Sequence, residues 1–503
     1  MTDLRPGDLG GETGNRLLDY IRNRRWFGQK SLVPHSLEVL DIIPLDSGNS
    51  IYFVIVEIRF LGDEKAFYSI PLNVSSEEDQ AVITDFDFNG HRMFLRDAFF
   101  EPAYAKAVIL GIDAETRIEG INGTVKFFRT QFFKMPTFGK FETVKSEQSN
   151  SSSIVDRSVI VKNYRYLQDG ENPDMEMALA LRVRSGFSNV PDPMGYAVYE
   201  GKGIKLFLAG ASQFLDGSVD AWTFYTDRFI SLAARPETYS SLKGEIIRLG
   251  DELGKITGSM HRSLSLLDEP AFRPETMETS DLREILRGTV EYMTASFELL
   301  KPRSGKNTEY LERLEKISGK KSMDNITARM LSGLDVSGMK KIRVHGDYHL
   351  GQILIWKDAS YIIDFEGEPV RSMDERRRKQ SPMKDLAGII RSMDYLVSYV
   401  VLNTVNKKLA NEKEILLDEV RKTMIESYKK AFVGYEKILP VENERFNDLL
   451  DIYILDKSSY ELLYEINNRP SWIEIPLLPV ISILESAAYS RESGEKSGSG
   501  HTQ

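Results

Sequence analysis

The feature that most constrains this chain is a pair of short apolar runs with polar side chains at both outer ends. Ile353–Trp356 and Tyr361–Ile363 are β-branched or aromatic, and the polar segment Lys357–Ser360 separates them. Two such runs around a polar turn predict a β-hairpin, which returns the chain to the end where it started. Because paired strands lie about 5 Å apart, the hairpin brings Gln352, before the first strand, beside Asp364, after the second.

Asp347 lies on the loop just before this hairpin, within His345–Gln352. An amide oxygen and a carboxylate suit a hard cation, and a second carboxylate one loop away can accept a proton from an attacking hydroxyl. Asp347, Gln352 and Asp364 therefore predict metal-assisted phosphoryl transfer. Turn chemistry would explain His345-Gly346-Asp347 alone, but it does not explain the matched residues at the two hairpin ends.

A transition-metal site is the alternative interpretation of the same segment. His345, Asp347 and His349 alternate along the chain, as ligands of zinc or iron can. The chain has only six histidines and no second histidine cluster. It also has no cysteine, which excludes zinc–thiolate sites, disulfides and thiol nucleophiles. Phosphoryl transfer is therefore the preferred hypothesis.

A lysine and a glutamate supply a second part of this chemistry. Lys162 ends the apolar run Val159–Val161, and Glu176 follows fourteen residues later, within a segment of helical periodicity, Pro173–Ser185, that Asn172 can cap. A strand lysine that faces a helix glutamate can contact nucleotide phosphates. A solvated lysine at a sheet edge is the plainer alternative, but together with the hairpin residues the pair indicates a nucleotide site.

The polar segment Glu147–Ser153 lies directly before the strand of Lys162. A flexible linker has this composition, and so does a loop that covers phosphates with serine hydroxyls and backbone N–H groups. The chain has neither a G-x-G-x-x-G nor a G-x-x-x-x-G-K-[ST] sequence. The candidate phosphate contacts in this segment are Ser149, Asn150 and Ser151.

The order of predicted elements indicates an α+β, two-lobed protein. Strand patterns dominate the first 214 residues, and helical patterns dominate from Trp222 onward, apart from the hairpin. The predicted domains are an N-terminal α/β cap at 1–92, a β-rich lobe at 93–214, a helical lobe at 215–489 and a disordered, polar tail at 490–503. Within the first two, helices are predicted at Asn15–Arg25 and Glu101–Ile112, and strands at Ile51–Phe60, Ala66–Leu72, Gly123–Phe133, Ile154–Val161 and Gly203–Ser212.

Charge and hydrophobic patterning exclude several classes of protein. The net charge of −10 argues against nucleic-acid binding, which needs a positive field. Leu386–Val405 comes nearest to a membrane span, but Arg391 and Asp394 interrupt it, so a buried amphipathic helix is predicted. Met1–Gly14 is polar and lacks the apolar core of a secretory signal. We therefore expect a soluble, cytoplasmic protein that binds neither nucleic acid nor a membrane.

Asp385 begins a predicted helix. Ser381 as N-cap, Pro382 at the first helical position and an acid in the first turn make an ordinary helix start. The functional alternative is that the Asp385 carboxylate also reaches the loop of Asp347 and fixes its backbone.

The segment Tyr464–Trp472 mixes aromatic and polar side chains near the end of the helical lobe. A helix surface followed by a capped turn has this composition. A carbohydrate site has it too, because a flat apolar ring can carry the sugar while charged groups bind its hydroxyls. The candidates for a sugar site here are Tyr464, Glu465, Arg469 and Trp472.

With these motifs the chain resembles the maltokinase family, within the aminoglycoside-phosphotransferase and protein-kinase-like superfamily. The likeness runs over nearly the whole length, from Arg24-Arg25-Trp26-Phe27 to Arg469-Pro470-Ser471-Trp472. The most specific motifs are His345–Gln352, Asp364–Pro369 and Lys379–Gly388, and further family-like segments are Gln148–Ser152, Asn172–Glu176 and Asn468–Trp472.

The resemblance implies a protein-kinase-like fold with an N-terminal cap. It also implies ATP- and Mg²⁺-dependent phosphorylation of maltose at the anomeric hydroxyl, which gives maltose 1-phosphate for α-glucan synthesis. Asp347 would be the catalytic base, and Gln352 and Asp364 would be the metal ligands. Lys162 would hold the phosphates, and Glu176 would orient that lysine.

The resemblance extends to the nucleotide hinge and the sugar pocket. Adenine would meet a hinge near Gln213 and Leu215, where this chain lacks the acidic residue that usually follows the glutamine in the family. His345 and Glu366 join the candidates for the sugar site. Many family members are fused to a trehalose synthase, so a functional link to that enzyme is also implied.

Two other functions compete with maltose phosphorylation. Related capped kinases share the ATP site, so a kinase for another sugar, especially glucosamine, is the enzyme alternative; a carboxylate such as Glu465 on the amino group would favour it. A catalytically dead, nucleotide-sensing protein is the non-enzymatic alternative. Such proteins typically lose the base or a metal ligand, whereas this chain keeps Asp347, Gln352, Asp364 and Lys162.

Overall fold

The computed structural model of the protein describes residues 4–62, 64–78, 82–88, 90–144, 150–300, 312–313, 320–332, 334–367, 371–435, 438 and 443–489. Contacts divide the chain into two compact units, Met1–Ser218 and Val219–Gln503. The predicted tail at 490–503 and the predicted phosphate contact Ser149 lie outside the described residues.

The first unit combines antiparallel strands with short helices. Its 3₁₀ turns are Pro6–Leu9 and Ala98–Phe100, and a π-helical turn, Leu179–Arg184, continues its third helix. In chain order its elements are α1 (Gly11–Arg22), β1 (Pro34–Asp46), β2 (Ile51–Phe60), β3 (Lys65–Ser75), β4 (Val82–Phe88), β5 (His91–Asp97), α2 (Pro102–Asp113), β6 (Arg117–Glu119), β7 (Gly123–Arg129), β8 (Phe141–Thr143), β9 (Ser151–Val155), β10 (Val159–Asn163), β11 (Tyr166–Leu167), α3 (Pro173–Ala178), β12 (Pro193–Gly201) and β13 (Ile204–Gln213).

The first sheet has the strand order β1-β2-β3-β5-β4, and β11 adds to β3. Strand β2 is buried on both faces, which explains its nearly continuous apolar sequence. Its residues Phe53 and Ile55 join one core with Tyr104 of α2, while Val54 joins a second core with Leu17 of α1. The predicted boundary at residue 92 falls within β5. The cap as a separate domain stays a prediction.

The second sheet has the order β6-β7-β12-β13-β10-β9-β8. The single strand predicted at Ile154–Val161 is wrong, because β9 ends at Val155 and β10 begins at Val159. Asp156 and Arg157 both have φ of +51° and form the turn. The Asp156 carboxylate accepts hydrogen bonds from the backbone N–H groups of Phe138, Gly139 and Lys140, which stabilises this turn and lowers the pKa of Asp156 to about 2.

The second unit is mainly helical. Two small antiparallel sheets have the orders β14-β17-β18 and β15-β16. Its elements are β14 (Val219–Asp220), α4 (Ala221–Ala233), α5 (Tyr239–Ser265), β15 (Glu275–Thr276), α6 (Thr279–Leu300), α7 (Lys320–Ser332), β16 (Lys340–Lys341), β17 (Ile353–Trp356), β18 (Ala359–Ile362), α8 (Met373–Arg377), α9 (Met383–Leu402), α10 (Lys407–Lys430), α11 (Asn443–Asn468) and α12 (Glu474–Tyr489), with 3₁₀ turns at Pro236–Thr238, Leu350–Gln352 and Pro470–Trp472.

Three glycines bring α5 and α10 unusually close together. Gly250, Gly254 and Gly258 recur every four residues and therefore share one face of α5. A Cβ on Gly254 would lie 2.3 Å from the carbonyl oxygen of Met424, so only glycine fits there without moving α10. The last glycine of the series packs against the backbone of Tyr428.

Helix α9 confirms the predicted buried amphipathic helix. Its Arg391 is 1% exposed, and its Nη1 donates to Asp394 Oδ2 at 2.6 Å, so each charge is neutralised inside the protein. Among the described helices none combines the length and the apolar character that crossing a membrane requires.

Candidate functional site

The predicted hairpin is present with a shorter turn than expected. Strands β17 and β18 pair from Ile353–Ile362 to Trp356–Ala359. The turn is therefore Lys357-Asp358, with φ of +49° and +59°, and the predicted four-residue segment is wrong in its last two members. Two central residues with positive φ match the right-handed twist of the strands.

The hairpin brings its two polar ends together, as predicted. Gln352 Nε2 donates a hydrogen bond to Asp364 Oδ2 at 3.0 Å, and the Ile363 N–H donates to the Gln352 carbonyl at 3.0 Å. Asp364 has φ of +65°, an uncommon conformation for a residue other than glycine. Such strained positions occur often at functional sites.

The donor set at this point suits Mg²⁺. It offers an amide oxygen of Gln352 and the carboxylate of Asp364, both half-buried, and hard oxygen ligands are what Mg²⁺ prefers. Mg²⁺ usually keeps water and substrate phosphate as its other ligands, so a pair of protein groups is sufficient. Within the part of the chain that the structure describes, no three His, Asp or Glu side chains converge as a metal-binding group.

The loop of Asp347 places its two histidines in separate surroundings. His345 is buried, its Nε2 lies 3.0 Å from the Ile363 carbonyl, and its ring packs 5.0 Å from that of Phe365. His349 accepts a hydrogen bond at Nδ1 from the Gly351 N–H, and burial lowers its pKa. His345 thus ties the loop to the hairpin, a placement that favours a structural role over the predicted sugar contact.

Asp385 fixes the backbone of the Asp347 loop, as the functional interpretation of the sequence anticipated. Its Oδ2 accepts from the His345 N–H at 2.7 Å, and its Oδ1 accepts from the Gly346 N–H at 2.9 Å. Burial alone would raise the pKa of Asp385, but the hydrogen bond from His261 and those from the loop bring it below the ordinary value. The predicted helix start shifts by one residue, because α9 begins at Met383 with Pro382 as N-cap.

His261 and Tyr428 were missed in the sequence. His261 Nε2 lies 3.0 Å from Asp385 Oδ2, and His261 Nδ1 lies 2.8 Å from the Tyr428 hydroxyl. The spacing of the glycines before His261 signals a close helix contact. Nothing in the sequence reveals that this histidine meets an aspartate 124 residues away.

The predicted sugar-site residues lie at the end of α11 and in the turn that follows. Glu465 is 1% exposed, and its carboxylate accepts from Arg469 Nε at 2.9 Å and from the Tyr395 hydroxyl at 3.0 Å. The Arg469 guanidinium lies 4.5 Å from the ring centre of Trp472, which is half-buried, and Tyr464 is exposed. Glu465 therefore organises this surface through Arg469 and Tyr395.

Helix α9 connects this aromatic surface to the loop of Asp347. Gly388, Ser392, Tyr395 and Tyr399 are spaced by four, three and four residues and so lie on one face. Ser392 Oγ accepts from the Leu350 N–H at 3.1 Å, and a Cβ on Gly388 would touch the Tyr348 carbonyl. Farther along the same face, the rings of Tyr395 and Tyr399 lie 5.9 and 5.6 Å from that of Trp472.

Glu366 follows Asp364 closely in the chain and is half-buried. Its carbonyl oxygen accepts from Arg376 Nη1 at 3.4 Å. Its role in sugar binding stays a prediction.

In the first unit, Lys162 lies on β10 and forms an ion pair with Asp174, with Nζ 2.9 Å from Oδ2. The sequence predicted Glu176, two residues later on the same helix, as its partner; Glu176 is buried, and its pairing with Lys162 stays a prediction. Asn172 caps this helix by accepting from the Met175 N–H, as predicted. Asp174 is thus a further residue that the sequence analysis missed.

The other predicted nucleotide contacts lie around the second sheet. Ser151 begins β9, and its hydroxyl accepts from Arg165 Nε at 3.0 Å. Asn150 precedes it and is half-buried. Gln213 ends β13 and Leu215 is buried just beyond it. Their contacts with ATP stay predictions.

Comparison with known proteins completes this description. No protein-family model matches the chain. The glucosamine kinase of Streptacidiphilus jiangxiensis is 26% identical over 347 residues, which cover 67% of this chain and 72% of that protein. The glucosamine kinase of Mycolicibacterium smegmatis is 23% identical over 424 residues, which cover 82% and 95%.

Solved structures decide the fold. A glucosamine kinase in complex with glucosamine, ADP and inorganic phosphate matches with a TM-score of 0.67 and 21% identity, over 90% of this chain and 94% of that chain. A second crystal form of glucosamine kinase matches with a TM-score of 0.67 over 96% and 98%. The protein has a kinase-like fold. The predicted α+β, kinase-like class is confirmed, and the curated relatives support an enzyme of the sugar-kinase class, whereas the maltokinase assignment rests on sequence motifs alone.

Proposed function

We propose that this protein is an ATP-dependent kinase that phosphorylates a hydroxyl group of glucosamine or a related sugar. The observation that carries the proposal is the arrangement of the second unit: Gln352 and Asp364 are hydrogen-bonded at the hairpin ends, and the backbone next to Asp347 is held by Asp385. A hard-cation site next to a fixed aspartate loop is what phosphoryl transfer to an alcohol needs. The curated relatives named glucosamine kinase support the sugar as acceptor.

In this mechanism the chain acts mainly by positioning. Asp347 accepts the proton of the sugar hydroxyl as the sugar oxygen attacks the γ-phosphorus of ATP, and ADP leaves as the bond from that phosphorus to the β,γ-bridging oxygen breaks. Gln352 and Asp364 would hold Mg²⁺, which when bound neutralises charge on the phosphates. Lys162 contributes a cation for the α- and β-phosphates, and Asp174 fixes the lysine by the ion pair between their side chains. The fixed loop keeps the Asp347 carboxylate aimed, so little reorganisation is needed during transfer.

Glucosamine is the first candidate acceptor, because both curated relatives named above are glucosamine kinases. Its amino group would pair with a carboxylate. Glu465 is one candidate, whose carboxylate also accepts from Arg469 and Tyr395, and the half-buried Glu366 is the other.

Maltose is the second candidate. The observation in its favour is the aromatic surface of Tyr395, Tyr399 and Trp472, which runs along α9 from the catalytic loop. A disaccharide offers two apolar ring faces for such a surface. With maltose as acceptor the product would be maltose 1-phosphate, and the implied link to trehalose synthase and α-glucan synthesis would follow.

One experiment tests these assignments. ADP release is measured with glucosamine, maltose, glucose and an aminoglycoside, each with the wild-type protein and with Asp347→Asn. Phosphorus NMR of the product then identifies the phosphorylated oxygen. Turnover of glucosamine supports the first candidate, and phosphate on the anomeric carbon of maltose supports the second. No turnover of any sugar would refute the proposed function.

A further inference from the structure

Three buried side chains form a continuous hydrogen-bonded series from α10 to the catalytic loop. The Tyr428 hydroxyl contacts His261 Nδ1, His261 Nε2 contacts Asp385 Oδ2, and Asp385 contacts the N–H groups of His345 and Gly346. Tyr428 and His261 have no exposed surface, and Asp385 has 1%. The three side chains are therefore shielded from bulk solvent.

The ionised Asp385 carboxylate fixes the direction of one of these hydrogen bonds. The lowered pKa of Asp385 keeps its carboxylate ionised, so it only accepts, and His261 Nε2 must carry a proton. Burial raises the pKa of Tyr428 well above its ordinary value, so its hydroxyl keeps its proton. That hydroxyl lies 2.8 Å from His261 Nδ1, so the imidazole is held on one side by Tyr428 and on the other by Asp385.

The helix packing makes this series possible. Gly254 and Gly258 let α5 approach the backbone of α10 so closely that any side chain at these positions would collide with Met424 or Tyr428. His261 lies three residues, about one turn, beyond the last glycine. The close contact therefore places its ring between Tyr428 of α10 and Asp385 of α9.

We propose that His261 and Tyr428 are positioning residues for phosphoryl transfer: they hold the Asp385 carboxylate in the one orientation that aims both of its oxygens at the catalytic loop. Gly346, which has φ of +88°, lies directly before Asp347, and its N–H donates to Asp385 Oδ1. A carboxylate that lost the His261 hydrogen bond would be free to rotate, and the loop would lose its fixed conformation. The inference rests on the proposed kinase function only for its kinetic readout.

The kinetic test compares wild-type protein with His261→Ala, His261→Gln and Tyr428→Phe. His261→Ala should lower kcat about 10- to 100-fold, because misplacing a reacting group by about 1 Å has that effect, while KM for ATP and sugar stays near the wild-type value. His261→Gln keeps a donor for Asp385 and a polar partner for the Tyr428 hydroxyl, so it should recover much of kcat. Tyr428→Phe should lower kcat by less than His261→Ala.

A structural readout accompanies the kinetics. Hydrogen exchange of the backbone amides of His345 and Gly346 should be faster in His261→Ala than in wild type and close to wild type in His261→Gln. Thr289→Val serves as the matched control, because Thr289 is equally buried and its hydroxyl donates to Asp456, a residue outside this series. It should leave both kcat and these two amides unchanged. If His261→Ala does not fold, His261→Gln and Tyr428→Phe still provide the comparison.

The outcomes separate the two proposals. If the wild type phosphorylates no sugar but His261→Ala loses protection at the two amides, the proposed function fails and the positioning role stands. If the wild type is a sugar kinase and His261→Ala keeps kcat and amide protection, the positioning role is overturned. Equal losses of kcat in His261→Ala and Thr289→Val would also overturn it, since they would reflect lost stability alone.

Discussion

Gln352 Nε2 and Asp364 Oδ2 lie 3.0 Å apart, although twelve residues separate them in the chain. One β-hairpin lies between the two residues, and its two-residue turn at Lys357-Asp358 brings the second strand back alongside the first. A side-chain amide and a carboxylate thereby share one point at the edge of the hairpin.

Replacing the proposed base tests the catalytic assignment. Asp347→Asn keeps the shape of the side chain but removes proton acceptance, so kcat should fall by about 10²- to 10⁴-fold with ATP binding nearly unchanged. Asp358→Asn is the matched control, since Asp358 is exposed in the hairpin turn and asparagine tolerates its positive φ. Sugar phosphorylation and ATP affinity, measured for both variants, decide the question. Near-normal kcat in Asp347→Asn would remove Asp347 from the mechanism.

The metal requirement should depend on the hairpin ends. Gln352→Ala removes the amide oxygen. The Mg²⁺ concentration that gives half-maximal activity should therefore rise about tenfold or more. Titration of kinase activity with Mg²⁺, and depletion with a chelator, provide the measurement. An unchanged Mg²⁺ dependence in Gln352→Ala and in Asp364→Asn would show that the cation binds elsewhere.

Lys162 should strengthen the binding of ATP. Lys162→Met removes the cation proposed for the phosphates, so KM for ATP should rise about tenfold or more while KM for the sugar changes little. Lys126→Met on β7 of the same sheet is the control, because Lys126 also pairs with a carboxylate, that of Glu200, and has no proposed role. Steady-state kinetics at varied ATP tests both. Similar KM values in the two variants would contradict the assignment.

The contact between α5 and α10 can be tested with two glycines of one helix. Gly254→Ala places a Cβ 2.3 Å from the Met424 carbonyl oxygen, so the helices must separate, at a cost of about 1–3 kcal/mol of unfolding free energy. Gly244→Ala meets no atom within 4 Å and should stabilise α5 by about 0.5–1 kcal/mol. Thermal unfolding of the two variants should therefore shift Tm in opposite directions. Equal shifts would mean that the two helices are not in close contact.

Asp451 on α11 should make stability depend on pH. Burial, opposed by Arg421, raises its pKa to about 6. The carboxyl in an unfolded chain titrates at about 4, so the folded protein binds the proton more tightly and loses stability as pH rises from about 4 to 6. Asp451→Asn should therefore increase unfolding free energy by about 1–3 kcal/mol at about pH 8 and by less at about pH 5.

Thermal unfolding at both pH values measures this effect. The control is Asp418→Asn, because Asp418 is exposed on α10 and its replacement should change Tm little at either pH. A Tm gain of Asp451→Asn that is the same at both pH values would argue against titration of Asp451.

Local sequence patterns predicted much of the fold, and their failures have local causes. Strand β2 begins and ends where its β-branched and aromatic run does, since that run is buried on both faces. Ile154–Val161 reads as one strand because its apolar residues continue on both sides of the turn. The turn at Asp156-Arg157 forms because backbone N–H groups from residues 138–140 bind the Asp156 carboxylate, and that contact is invisible in the sequence.

The residues of the candidate site also separate into those that local sequence patterns predicted and those that they did not. Asp347, Gln352, Asp364 and Asp385 were found from the sequence because a hairpin and a helix start fix their surroundings within a few residues. Glu465 was found as a polar residue among aromatics, but its hydrogen bond with Tyr395, 70 positions away, was not. Asp174 was overlooked, because one helical turn offers several acids to the same lysine.

The sequence by itself determined the proposed chemistry: the residue types and spacing around the hairpin predict a hard-cation site and a base for phosphoryl transfer. Only the tertiary structure decided how that chemistry is held in place. His261, Tyr428 and Asp385 come from three helices, and their hydrogen bonds join residues 124 and 167 positions apart. Spacing along a chain sets short-range geometry, whereas contacts across such distances depend on how whole helices pack, here on glycines that let α5 and α10 touch.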